Sequence, residues 1–278
     1  MSPRREALHS KERAKRKKER LVGTLLLLGF VVVGLGALLF SVPRYPQITI
    51  DSIQIEGTDA VSKEGVLALV EGKISGTYAY FFPRKSIFLY PKAAVASAVL
   101  AYDPHIKQVD VSFDTFRSIK VSVKERKPFA LYCGEAVASS TLCFFLDETG
   151  FIFATAPEFS GSAFIEYKDE TTSSVHALGT RLVSLELFKG LSYVTDRLAK
   201  EGQKPLRVTL GVDERITVLL ENDVKLYFKK TEDFARALDN FAALLLSSNF
   251  KGKGSDGKLL PGYVDLRFGN KLFYKIEK

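Results

Sequence analysis

The first pattern along the chain is an uninterrupted apolar run. Leu21–Val42 holds 22 residues without a charge, Pro43 and Pro46 follow it, and a densely basic stretch precedes it. As a helix, 22 residues rise about 33 Å, enough to cross the ~30 Å hydrocarbon core of a bilayer. Beyond it the pattern changes to short periodic segments. Ile53 and Ile55 alternate with polar neighbours and Gly57 closes a strand. Ser62–Val70 and the stretch after Pro91 carry helical spacing: Val66, Leu69 and Val70, then Val95, Ala98, Val99 and Tyr102. Asp103-Pro104 stops the second helix. Val109, Val111 and Phe113, then Ile119, Val121 and Val123, repeat with period two around a turn at Arg117-Ser118. The segment 47–127 therefore reads β-α-α-β-β. Between its helices, Gly72–Lys85 is a loop rich in aromatics: Tyr78, Tyr80, Phe81 and Phe82. Large aromatics are more often buried than displayed, so the favoured expectation is that they plug the module's own core. The competing one sets them, with Arg84 and Lys85, at a membrane interface.

From Pro128 strands dominate: Phe129–Cys133, Leu142–Asp147, Phe151–Ala154, Ala163–Tyr167, Leu206–Leu210, Ile216–Leu220, Val224–Phe228, Tyr263–Phe268 and Leu272–Ile276. Two helices interrupt them. One is near Leu182–Lys200, with Leu187, Leu191, Val194 and Leu198 on one face. The other is near Glu232–Leu246, with Thr231 as N-cap and Phe234, Leu238, Phe241 and Leu245 inward. Glu148-Thr149-Gly150, Asp213-Glu214, Asn222-Asp223 and Gly269-Asn270 supply turns. The fold class is α+β: a tail over 1–20, a membrane helix over 21–42, a small module over 47–127, and a mixed, mainly antiparallel, strand-rich α+β domain over 128–278.

Charge sets the orientation. Residues 1–20 carry nine Lys/Arg and three Glu, a net +6 of the chain's +8. The positive-inside rule keeps such a tail in the cytoplasm and exports the bulk. The run is longer than a signal-peptide core, and no small-x-small site precedes Pro43, so the anchor is read as uncleaved. The tail's basic residues come without aromatics or a nucleic-acid motif, which leaves topology and anionic headgroups as their role. Export permits a disulfide, and the only two cysteines, Cys133 and Cys143, flank the small polar loop of a hairpin, so they are expected to pair.

Catalytic chemistry finds little support. His9, His105 and His176 are scattered and lack metal-ligand spacing, and the two exported ones are read as surface residues. Gly252–Lys258 approximates a P-loop, but Leu259 stands where Ser or Thr would bind magnesium, and the stretch follows a helix. Ser248–Lys251 matches S-x-x-K without its companion motifs. No cofactor, metal, nucleic acid or small-molecule substrate is expected.

Three stretches carry a resemblance. VSVKERKPFA (Val121–Ala130) looks like the V-x-E-R-x-P-x-A join of the FtsQ/DivIB cell-division family. FLDETGFIF (Phe145–Phe153) resembles its aspartate-x-x-glycine hairpin, and YVDLRFGNKLFYK (Tyr263–Lys275) its final V-D-x-R-aromatic strand and partner. The β-α-α-β-β module is similar to a POTRA domain. The resemblance implies a single-pass, non-enzymatic scaffold at the division septum. Such a scaffold holds FtsB/DivIC-like and FtsL-like coiled-coil membrane proteins, other divisome components among its partners, and helps control septal cell-wall synthesis. It places partner binding on Tyr263, Val264, Asp265, Leu266, Arg267, Phe268, Leu272, Phe273 and Tyr274. We expect one of these strands to be an open sheet edge, with Val264, Leu266 and Phe268 on one face. Arg267 then either reaches a partner carboxylate or pairs with Asp265 across strands. The alternatives are a POTRA-bearing protein of export or outer-membrane assembly and a tethered cell-wall enzyme.

Overall fold

The computed structural model describes residues 3–41, 46–78, 80, 82–134, 142–157, 163–171, 176–230, 233–247, 261–269 and 271–276. It is a mixed α+β structure with one N-terminal apolar helix and a strand-rich sheet. The helix α1 spans Pro3–Ser41, and its stretch Lys17–Leu38 has a mean hydropathy of 2.5 and is not buried by the rest of the chain. It is long and apolar enough to cross a membrane. The near-P-loop at Gly252–Lys258, the S-x-x-K at Ser248, the capping residue Thr231 and Phe81 lie outside the described residues.

By its internal contacts the chain divides into two compact units, Met1–Lys124 and Glu125–Lys278. In the first, β1 (Ser52–Glu56) leads to α2 (Lys63–Ile74). A minimal hairpin follows, β2 (Thr77–Tyr78) with β3 (Phe82–Pro83), then α3 (Lys92–Leu100), β4 (Ile106–Thr115) and β5 (Ser118–Glu125). The sheet order is β1-β5-β4, with β1 parallel to β5. Ser62 caps α2, its hydroxyl accepting from the Gly65 N–H at 3.1 Å. Val66, Val70 and Ile74 of α2 and Val95 and Val99 of α3 are buried with Ile55, Val111, Ile119 and Val121 of the sheet. Each such aliphatic contributes about 1.5–3 kcal/mol of transfer free energy. After β1, Gly57 turns with φ +79, and a Cβ there would stand 2.1 Å from the Val123 carbonyl oxygen, so no other residue fits. The β4–β5 turn is Phe116-Arg117 rather than Arg117-Ser118: Ser118 begins β5 and is buried, donating to Asp114 at 2.6 Å.

The second unit is built on a nine-stranded sheet. Its strands are β6 (Ala130–Cys133), β7 (Cys143–Leu146), β8 (Ile152–Thr155), β9 (Glu166–Asp169), β10 (Pro205–Leu210), β11 (Arg215–Leu220), β12 (Lys225–Lys229), β13 (Pro261–Phe268) and β14 (Lys271–Ile276). Their order is β14-β13-β12-β11-β10-β9-β6-β7-β8. β9 is parallel to both neighbours, β12 and β13 are parallel, and the other pairs are antiparallel. Helices α4 (Leu185–Lys200) and α5 (Phe234–Leu246) bury Phe188, Leu191, Val194, Leu198, Leu238 and Phe241 against Val208, Val218, Leu226 and Val264. Leu187 and Phe234 are only partly buried at this core. Helix α5 starts two residues later than its apolar spacing predicts, because the Asp233 carboxylate caps it, accepting from the Arg236 N–H at 3.3 Å. The strand expected at Ala163–Tyr167 lies at Glu166–Asp169, where it pairs with β6 and β10 and buries Tyr167 in the core.

Cys133 stands directly opposite Cys143 in the β6–β7 register, and a disulfide joins them. His105 and His176 are not simply surface residues. Each is half-buried on an aspartate, His105 Nδ1 at 2.7 Å from Asp103 and His176 Nε2 at 2.9 Å from Asp169.

Candidate partner-binding edge

The two strands singled out by sequence have different standing in the sheet. β13 is interior, parallel to β12 through Lys225↔Tyr263, Leu226↔Val264 and Tyr227↔Asp265, and antiparallel to β14 on its other side. Of the two, β14 is the outermost strand among the described residues. A strand can add to an edge such as β14, whereas an interior strand such as β13 has only side chains to offer.

The side chains of β13 are sorted by the pleat. Val264 and Leu266 are buried in the core that α5 covers, and Leu272 of β14 packs on the same core. Tyr263 lies on the other face, its ring 5.7 Å from that of Tyr227. Phe268 does not join Val264 and Leu266. The register shifts between Asp265 and Phe268, and this bulge turns Phe268 out, where its ring meets Phe273 edge-on at 5.3 Å. Phe268, Phe273 and Tyr274 are exposed. The far end of the hairpin is tied to α5, where Asn240 Nδ2 donates to the Gly269 carbonyl at 2.7 Å.

Arg267 pairs with Asp265, but within one strand rather than across two. Residues i and i+2 share a face, so the guanidinium reaches back along β13. Nε donates to Oδ1 at 2.8 Å and Nη2 to Oδ2 at 2.6 Å, while the Arg267 backbone N–H donates to Oδ1 at 3.2 Å. Burial pushes the Asp265 carboxyl up, but these bonds and the charges of Arg267 and Arg215 pull harder, and its pKa falls below the ordinary carboxylate range. The bond to Asp265 in turn raises the Arg267 pKa. Asp265 is thus a buried charge that holds Arg267 in place.

Across β10 to β12, two strands in from this edge, the sheet carries an open cleft of ≈ 300 Å³. Arg207, Thr209, Arg215, Thr217, Leu219, Lys225, Tyr227 and Glu170 line it. Among the described residues no group of three or more His, Cys, Asp or Glu is placed to hold a metal ion.

Sequence reasoning passed over Asn240, Lys271 and Lys275. The two lysines carried a signal: Lys271–Ile276 is an apolar strand with an exposed lysine at either side of Leu272-Phe273-Tyr274, as edges that avoid self-pairing often are. Asn240 carried none, since its acceptor lies 29 residues away.

The other two quoted motifs meet in the second unit. Arg126 Nη1 donates to the fully buried Asp147, and its guanidinium stacks 3.8 Å over the Phe151 ring. Asp147 Oδ1 also accepts from the Thr149 N–H at 2.8 Å, the Thr149 hydroxyl at 2.7 Å and the Phe151 N–H at 3.1 Å. Burial pushes this carboxyl up as well, and the four bonds outweigh it, so its pKa is lowered.

Compared with known proteins, the chain matches no protein-family model and no curated protein.

Proposed function

We propose that this chain is a non-enzymatic, single-pass membrane scaffold of the FtsQ/DivIB kind. Its basic tail is cytoplasmic and its two globular units are extracytoplasmic. It receives a strand from an FtsB/DivIC-like partner on β14, with an FtsL-like protein in the same complex, and acts at the division septum. The observation that carries the reading is the open β14 edge, displaying Phe268, Phe273 and Tyr274 beside Arg267. Main-chain bonds along such an edge supply affinity, and the aromatics and the oriented guanidinium supply choice of partner. The first unit lends support: apart from the short β2–β3 hairpin, its elements run β-α-α-β-β, the order on which the POTRA resemblance rests.

An Arg267→Glu variant sets a carboxylate against Asp265 and so tests folding as much as binding. A photocrosslinking residue at Phe273 is the better probe, with Ala154 on β8 as the control. Crosslinks to FtsB-like and FtsL-like proteins from position 273 and none from 154 are expected, together with a midcell band of an N-terminal fluorescent fusion and filamentous cells on depletion. Uniform membrane signal with normal division ends the divisome reading. Midcell signal without crosslinks at 273 ends the edge alone.

A further inference from the structure

The exposed aromatics of the first unit are not scattered. Outside α1, seven large apolar or aromatic side chains of this unit are exposed among the described residues, and five of them (Tyr78, Tyr80, Phe88, Phe113 and Phe116) lie at one end. That end is fixed by backbone hydrogen bonds to the segment that follows the apolar helix. Ile50 N–H donates to the Lys85 carbonyl at 2.8 Å and Ile87 N–H to the Ile48 carbonyl at 2.9 Å, which holds the stretch after the β2–β3 hairpin against residues 48–50. Asp51 N–H donates to the Arg117 carbonyl at 2.9 Å, which brings the β4–β5 turn to the same place. Three stretches far apart in sequence converge where the chain enters this unit. Leu100 and Tyr102, the other two, follow α3 to the opposite end, where Tyr102 packs by Gly65 at the start of α2.

Tyr80 is 93% exposed, Phe88 66%, Phe116 61% and Phe113 55%. Tyr80 has φ +64, a left-handed conformation that costs a bulky residue about 1–2 kcal/mol and here serves to hold a ring in the open. Phe113 and Phe116 meet edge-on at 5.6 Å, forming a paired apolar tip. Of the loop aromatics, Phe82 is partly buried but Tyr78 and Tyr80 are exposed and do not plug the module, against the favoured reading for those two. Singly exposed apolar residues are ordinary, but a cluster at one pole is not.

We infer that this pole is a lipid-facing surface: Tyr80, Phe88, Phe113 and Phe116 seat in the headgroup layer of the bilayer that α1 crosses, with Arg84 and Lys85 beside them. The chain length argues for this occupant over a protein. Five residue steps separate Ser41 from Pro46, a reach of at most about 18 Å, while the headgroup layer adds roughly 5–8 Å to each side of the hydrocarbon core. Tyrosines and basic residues are the side chains that settle at that depth. Arg117 is paired with Asp51, so the aromatics rather than net charge supply the attachment, and zwitterionic phosphatidylcholine, with no net charge, suffices as the lipid. The consequence is a first unit held against the membrane rather than swinging on its tether.

The inference rests on α1 spanning the bilayer, and one experiment separates the two. The chain has no tryptophan, so each substitution creates a sole fluorophore. Full-length Phe30→Trp, Tyr80→Trp, Phe116→Trp and Leu100→Trp variants are reconstituted into phosphatidylcholine vesicles brominated either near the glycerol end or near the methyl end of the acyl chains. Phe30→Trp is expected to lose emission to the deep bromines. Tyr80→Trp and Phe116→Trp are expected to lose it to the shallow ones and shift to the blue, and Leu100→Trp to lose none. Quenching at position 30 with 80 and 116 no different from 100 overturns the lipid-facing surface and leaves the anchor standing. Absence of quenching at 30 overturns both. The substituted positions are exposed, so the fold is not at stake.

Discussion

The two edges of the nine-stranded sheet are finished in opposite ways. β8 is four residues long and covered: Ile152 N–H donates to the Thr180 carbonyl at 2.9 Å, Gly179 N–H to the Ile152 carbonyl at 2.8 Å, and Phe151 bridges to Arg181. The turn before it is locked by Arg126 and Asp147. β14 is longer, displays its aromatics, and has no strand on its outer side among the described residues. A sheet edge invites pairing, and a protein that closes one edge with its own loop while leaving the other bare but flanked by lysines has restricted pairing to one side. The difference lies in what the chain lays beside each strand: residues 179–181 run along β8, whereas β14 lies outermost.

The largest effect that can break this contrast is at the closed edge. Arg126→Ala leaves the Asp147 carboxylate buried without its cation, and removing one partner of such a pair costs about 3–5 kcal/mol. Urea unfolding is expected to show this loss. A shift under 1 kcal/mol would mean that the closed edge does not depend on the pair. The disulfide comes next. Replacing Cys133 and Cys143 together by Ser removes a crosslink spanning 10 residues, with an expected loss of about 2–3 kcal/mol. Crosslinking at β14 should survive, because β6 and β7 stand on the far side of β9; its disappearance in folded protein would tie the open edge to the closed one.

Acid sharpens the comparison, since each end of the sheet holds one carboxylate with a depressed pKa, Asp147 and Asp265. A folded pKa below the unfolded one contributes stability above the unfolded value, and that contribution is lost as pH falls through the folded one. Stability is therefore expected to drop below about pH 4. Asp147→Asn should be less stable at neutral pH and show a shallower acid slope; an unchanged slope would assign the acid sensitivity elsewhere. The smallest effect is at the open edge. Asn240→Ala removes one hydrogen bond, about 1 kcal/mol globally. It should speed amide exchange in β14 while leaving β8 protected, and equal acceleration at both would remove the contrast.

These contrasts were unevenly legible. The helices were readable because Val66 and Val70, or Leu191, Val194 and Leu198, repeat on the turn of an α-helix and are buried accordingly. β10 to β12 were readable because Val208, Ile216, Val218, Leu226 and Phe228 alternate with polar residues and short turns fix their pairing. Which C-terminal strand was the edge was legible only through the lysines that flank Leu272-Phe273-Tyr274, because sheet order is a long-range property. Asp265 misled for a local reason: period two assigns it to the open face, yet Arg267 two residues on folds over it and buries it. Arg126 and Asp147 stood in two quoted motifs without any sign that they touch, 21 residues apart. Tyr80 was weighed by the general tendency of large aromatics to be buried, and its exposure depends on where the module's end falls.

The position of β9 has a consequence for how the sheet assembles. On either side of it the ladder is built mostly from neighbours in sequence, β6 to β8 on one flank and β10 to β12 on the other, and such hairpins close within microseconds. β9 joins the flanks through parallel pairs on both sides, and its contact from Glu166 to Arg207 spans 41 residues. Long loops must close before that seam gives anything back, so the barrier to folding is expected to lie there. Tyr167, fully buried at the seam, is the reporter: Tyr167→Leu should chiefly slow refolding, and a change confined to the unfolding rate would move the nucleus into one of the flanks.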